Sequence, residues 1–119
     1  MKKLLLTILL VVGVTAVAMS QTQVLSGTWK ANSTSTPSYT LHENSGERSV
    51  VISVPFLKPF ETKPDVILTV NHLDAESKTN VRYTVKSVTV TRDGFTIQLS
   101  TWAETKIYGI NGYWLAHSD

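Results

Sequence analysis

Two side chains stand out by type and position: Trp102 and Arg82. Phe95, Ile97, Leu99 and Thr101 alternate with Thr96, Gln98, Ser100 and Trp102, so an indole falls in an otherwise polar set. Two readings stand for it. Either Trp102 lies past the end of a strand and folds back onto the core, or it offers a flat apolar surface to a ligand or a second chain, where aromatic rings concentrate binding energy. Arg82 is placed on the outward face of a strand, between Val81 and Tyr83. It is either a solvated strand residue or a fork of donors holding vicinal hydroxyls on one side and a carboxylate on the other, which a lysine ammonium cannot reproduce. Glu43 and Asn44, in the loop before the first clear strand, supply polar partners, and Tyr108 adds a ring and a hydroxyl. Apolar ring faces beside charged and amide groups suit a sugar, whose C–H faces stack while its hydroxyls find partners.

Catalytic chemistry finds less support. His42, His72 and His117 stand at no metal-ligand spacing and beside no serine motif, and read as surface or loop residues. Glu43 with Asp74 or Glu104 is a pair of acids of the type that hydrolyses glycosides, but no spacing joins them. Gly109-Ile110-Asn111-Gly112 follows no phosphate-loop pattern and marks a bulge or turn. No acidic loop has the ligand spacing of calcium sites. With no cysteine at all, thiolate metal sites, cysteine nucleophiles and disulfides are excluded. The expectation is a protein that is not an enzyme and uses no metal or cofactor.

The elements that hold these residues begin after a leader. Residues 1–20 have two lysines, an apolar run and then small residues, the pattern of a secretory signal peptide cleaved after Ala18 or Ser20. The uncharged, mostly apolar stretch from Leu4 to Ala18 is 15 residues, short of the roughly 20 needed to span a bilayer, and no second span follows. Residues 21–119 then form one secreted, extracellular domain. Lys2 and Lys3 account for the net charge of +2, so residues 21–119 are neutral, with nine basic and nine acidic side chains. A neutral domain lacks the clustered cations that phosphate-backbone binding requires, which excludes nucleic acid as a partner. A chain this small without disulfides must draw its stability from packing and from association between copies.

Period-two alternation organises the rest. Residues 49–54 form a strand, and 55–64 a proline-marked loop. Residues 66–71 are apolar on both faces, which predicts a central strand covered on both sides, with a polar turn over 74–80. Residues 81–90 carry an apolar set whose parity changes near Ser87, the mark of a bulge. Asp93-Gly94 predicts a tight hairpin with positive backbone φ. Strands follow over 95–102 and 106–117, with a first strand over 24–31 and a Ser/Thr/Asn-rich loop over 32–46. No segment has a helical apolar stripe. The fold expected is all-β, a six-stranded antiparallel sandwich.

Several segments resemble the H-type lectin domain, the family of snail agglutinins and discoidin carboxy-terminal domains. They are Lys58-Pro-Phe, Lys63-Pro-Asp-Val-Ile-Leu, His72-Leu-Asp, Asn80-Val-Arg-Tyr, Gly94-Phe-Thr-Ile, Thr101-Trp-Ala-Glu-Thr-Lys-Ile-Tyr and Trp114-Leu-Ala. The resemblance runs from about Ser26 to Asp119. It implies a homotrimer binding glycans with terminal galactose or N-acetylgalactosamine between neighbouring chains, and so a multivalent protein of agglutination, adhesion or defence. By position it implies sugar-binding roles for Arg82, Trp102 and Tyr108, and for Glu43, where the family has an aspartate, with Asn44 after it. Ala103 departs from a histidine that contacts the acetamido group in snail members, which bears on N-acetylgalactosamine preference. The family's cysteines are absent, so a trimer here would be held by packing alone. The alternative is a structural or adhesive module in which Trp102 and Tyr108 seal a contact between chains.

Overall fold

The computed structural model describes residues 22–43 and 45–119, so the expected leader and Asn44 lie outside the described residues. Seven strands follow in order: β1 (Gln23–Asn32), β2 (Arg48–Pro55), β3 (Asp65–Leu68), β4 (His72–Ala75), β5 (Tyr83–Val88), β6 (Gly94–Thr101) and β7 (Ile107–Ser118). They make two antiparallel sheets. In one, the central β7 pairs with β1 on one side and with β3 and β4 on the other; in the second, β6 lies between β2 and β5.

The inward residues are those that alternation selects. Phe95, Ile97 and Leu99 of β6 are buried, in one core with Trp29 and Ala31 of β1 and Ile107, Ile110 and Ala116 of β7. Each fully buried large apolar side chain is worth about 1.5–3 kcal/mol over exposure. One end of the sandwich is sealed from the proline-marked loop, whose Phe56 packs on Phe60, Phe95 and Trp114 with ring centroids 4.9, 5.7 and 5.8 Å apart. Reciprocal bonds from Phe60 N–H to Arg92 O (2.9 Å) and from Arg92 Nε to Phe60 O (2.8 Å) tie that loop down.

Five expectations need correction. There are seven strands rather than six because the strand expected over 66–71 stops at Leu68 and, after an interruption at residues 69–71, a further strand β4 follows it along β7. Gly112 sits at that break, where an added Cβ would strike the carbonyl oxygen of Thr69. That segment is therefore an edge and not a covered central strand, and Ile67 is 54% exposed. Its continuation also makes residues 72–75 strand where a polar turn was expected to begin. Asp93 and Gly94 do not adopt positive φ; Thr89 does, at 51°, and that residue, rather than a bulge at Ser87, produces the parity change after β5. Gly94 serves close approach instead, since a Cβ there would lie 2.5 Å from Val54 O.

Candidate functional site

The opposite end of the sandwich gathers most of the candidate residues. Register pairs Tyr83 with Thr101, so Arg82 and Trp102 occupy the next step of the same ladder, side by side just beyond it. The Arg82 peptide is held from both sides: its N–H donates to Thr105 Oγ1 (3.0 Å) and its carbonyl accepts from Thr101 Oγ1. Both threonines are fully buried, and Thr105 Oγ1 donates in turn to Asn80 O. An immobilised backbone aims the side chain above it. Trp102 is 40% exposed, past the end of β6, and so is not folded away into the core.

The Arg82 guanidinium donates through Nη1 to Glu104 Oε1 at 2.8 Å. Its carboxylate partner is thus Glu104, not Glu43. Hydrogen bonds from its own backbone and from Arg82 hold the Glu104 carboxyl below the usual carboxylate range. Cation, carboxylate and indole together present donors, acceptors and an apolar ring within two short segments.

Tyr108 and Glu43 belong to a second group. The register of β7 against β4 shifts between Asp74 and Ala75, and this bulge carries Tyr108. Its hydroxyl donates to Glu76 Oε2 at 3.3 Å, and desolvation, then the Glu76 charge, push its pKa up. His42 stands between Tyr39 and Tyr108, at 5.6 and 6.2 Å from their ring centroids, with Nε2 3.5 Å from Glu43 Oε1. Among the described residues no hydrogen bond, ion pair or ring contact joins Tyr108 or the Glu43 carboxylate to Arg82 or Trp102.

The match to the H-type lectin domain covers residues 51–117, more than half of the chain and including Arg82, Trp102 and Tyr108. The chain belongs to the H-type lectin domain family. That membership makes it a carbohydrate-binding lectin domain rather than an enzyme. It is similar to a Fuscovulum blasticum protein described as ATP synthase subunits region ORF 7, 34% identical over 71 residues, 60% of this chain and 62% of that protein. It is also similar to a discoidin-1 polypeptide of Dictyostelium discoideum, 35% identical over 77 residues, 64% of this chain and 30% of that one. The chain thus spans less than two thirds of either relative. The solved structure of wild-type discoidin II from the same organism shares the fold, with a TM-score of 0.73 and 24% identity over 83% of this chain and 37% of that chain.

The lectin domain holds residues that sequence reasoning passes over. By alternation Thr101 reads only as an inward strand residue, and Glu104 only as half of a catalytic pair. Thr105 and Arg48 carry no signal of their own, although Arg48 has the parity of Val50, Ile52 and Val54.

Proposed function

We propose that this lectin domain is secreted, assembles as a homotrimer and binds glycans with terminal galactose or N-acetylgalactosamine through Arg82, Trp102, Tyr108, Glu43 and Asn44. The observation that carries this reading is the position of Arg82 and Trp102, each one residue beyond the Tyr83–Thr101 register pair at one end of the sandwich, with the guanidinium oriented by Glu104 and the indole accessible. Sugar hydroxyls meet donors on Arg82 and acceptors on Glu104, while the sugar's C–H face covers the ring.

The separation of the two groups of site residues supports assembly. Ile67 of β3 and Tyr113 and Leu115 of β7 are exposed on the outer face of the β1-β7-β3 sheet, whose central strand β7 also carries Tyr108. Further copies of the chain packed on that face bury these residues and bring Tyr108 toward a neighbour's Arg82 and Trp102. Three weak sites on one rigid body gain avidity by on the order of 10²-fold when a surface presents sugars at matching spacing.

A glycan array with the wild-type chain and Arg82→Ala tests the reading. Terminal galactosides are retained by the wild type and lost by the variant; equal signals reject the site. Trp102→Ala separates it from the structural alternative: a variant that stays trimeric in light scattering but leaves a galactose column early supports a lectin, and one that dissociates supports a seal between chains.

A further inference from the structure

Arg48 opens β2 with its side chain directed into the sandwich, 9% exposed. A buried cation ordinarily has a carboxylate beside it. Here the ion pairs among the described residues join His42 to Glu43 and Arg82 to Glu104, and Arg48 takes part in neither. It donates instead to five backbone carbonyl oxygens. Nε reaches Gly46 O (2.9 Å), Nη1 reaches Glu43 O (2.7 Å) and Leu41 O (3.4 Å), and Nη2 reaches Thr105 O (2.7 Å) and Ala103 O (3.0 Å).

Those oxygens belong to two segments distant in sequence. Residues 41–46 lead into β2 and include Glu43; residues 103–105 lead out of β6, follow Trp102 and include Glu104. Five carbonyl dipoles converging on one point repel each other unless a cation stands between them. Ala103 also lies in the left-handed region, at φ 57°, unfavourable for a residue with a Cβ, and its carbonyl is held there by Arg48 Nη2 and by Gly46 N–H (3.0 Å). The conformation that separates Trp102 from Glu104 is therefore fastened to the guanidinium.

We propose that Arg48 is the positioning residue of the sugar site: it fixes the spacing of Trp102, Glu104 and Glu43 through backbone carbonyls and touches no ligand. This rests on the sugar-binding reading above for its effect on affinity, but not for its effect on the two segments. A lysine keeps the charge and lacks the planar fork, so it cannot serve five oxygens from two sides.

Amide hydrogen exchange and galactose titration of the wild type and Arg48→Lys form the test. Gly46 N–H bonds to Ala103 O between the two segments, and Ile107 N–H, at the start of β7 just after the second, bonds to Leu41 O in the first. In the wild type these two amides exchange through one common opening, slower than the loop over residues 33–36. In Arg48→Lys both speed up by about tenfold, the scale of one lost charge-assisted hydrogen bond, while Leu99 in β6 is unchanged. Galactose affinity falls by about tenfold at a temperature where circular dichroism matches the wild type. Independent opening of the two amides in the wild type, a uniform rise in exchange across the variant, or undiminished affinity in the folded variant overturns the proposal. If Arg48→Lys does not fold, the wild-type exchange pattern decides. If the wild type holds no galactoside, the sugar reading fails and the exchange data still judge Arg48.

Discussion

Arg82 Nη1 lies 2.8 Å from Glu104 Oε1, and this pair bridges the approach to β5 and the loop after β6 beside the exposed ring of Trp102. Both side chains are substantially exposed, so the bond orients the fork more than it stabilises the fold.

The first prediction concerns that orientation. The Glu104 carboxyl is held below the usual carboxylate range, first by hydrogen bonds from its own backbone and from Arg82. A depressed folded-state pKa keeps the carboxylate, and the pair, intact as pH falls through the ordinary range near about 4.3, and loses them only below it. Galactose affinity measured from pH 7 downward should therefore hold through that range and fall beneath it. Glu104→Gln should weaken binding by about two- to fivefold at neutral pH and move little in thermal unfolding, as an exposed pair does.

A second prediction separates binding from folding. Trp102 is 40% exposed, whereas Phe60 is 1% exposed and packs against Phe56 with centroids 4.9 Å apart. Trp102→Ala should lower sugar affinity by about 30-fold, the loss typical of a binding hot spot, with little change in the urea midpoint. Phe60→Ala should cost about 3–5 kcal/mol of stability in urea unfolding and leave affinity unchanged in the fraction that remains folded. Reversed effects would show that the ring of Trp102 serves the core.

How much of the fold and the site is legible in the sequence depends on how local the causes are. Phe95, Ile97, Leu99 and Thr101 alternate because one face of β6 meets the other sheet, and a period of two survives in any single strand. The interruption between β3 and β4 has a cause outside its own segment: Gly112 of β7 lets the Thr69 carbonyl come too close for a side chain. Asp93-Gly94 is legible in part: β5 and β6 do form a hairpin there, with Thr91 N–H on Gly94 O, but neither residue takes positive φ, and the glycine is required by its close approach to Val54 of another strand. At the site, Arg82 and Trp102 are visible as anomalies in the alternation that runs on from β5 and β6, one residue outside each strand. Arg48 is not, since its five partners are backbone atoms that carry no sequence signature.

Gly112 supplies a third prediction. A Cβ at that position would strike Thr69 O and the Trp29 ring, a backbone atom and a buried side chain, neither of which can yield cheaply. Gly112→Ala should cost about 3 kcal/mol or more and detach the edge first. Amide exchange would locate the damage: Thr69 N–H, bonded to Tyr113 O at 2.9 Å, should lose protection ahead of Ile97 in the other sheet. A variant with wild-type stability would mean that the two strands can separate there without loss.

The last prediction is an alkaline transition. Tyr39 is buried, its hydroxyl donates to Ile107 O at 2.7 Å, and burial, then the Asp74 charge, push its pKa from 10.0 up to about 12. The raised value means that the folded chain keeps a proton that the unfolded chain gives up. Stability from this group is therefore complete below pH 10 and is lost as pH rises from there toward about 12. Urea unfolding at pH 8, 10 and 11 should show the decline beginning above pH 10. Tyr39→Phe removes both the hydrogen bond and the ionising group: it should be less stable than the wild type at pH 8, by about 1 kcal/mol, and lose less on going to pH 11. Because Tyr39 touches His42, whose other neighbour is Tyr108, its ionisation should also disturb the second group of site residues, and a fall in galactose affinity over the same pH interval, absent in Tyr39→Phe, would register it.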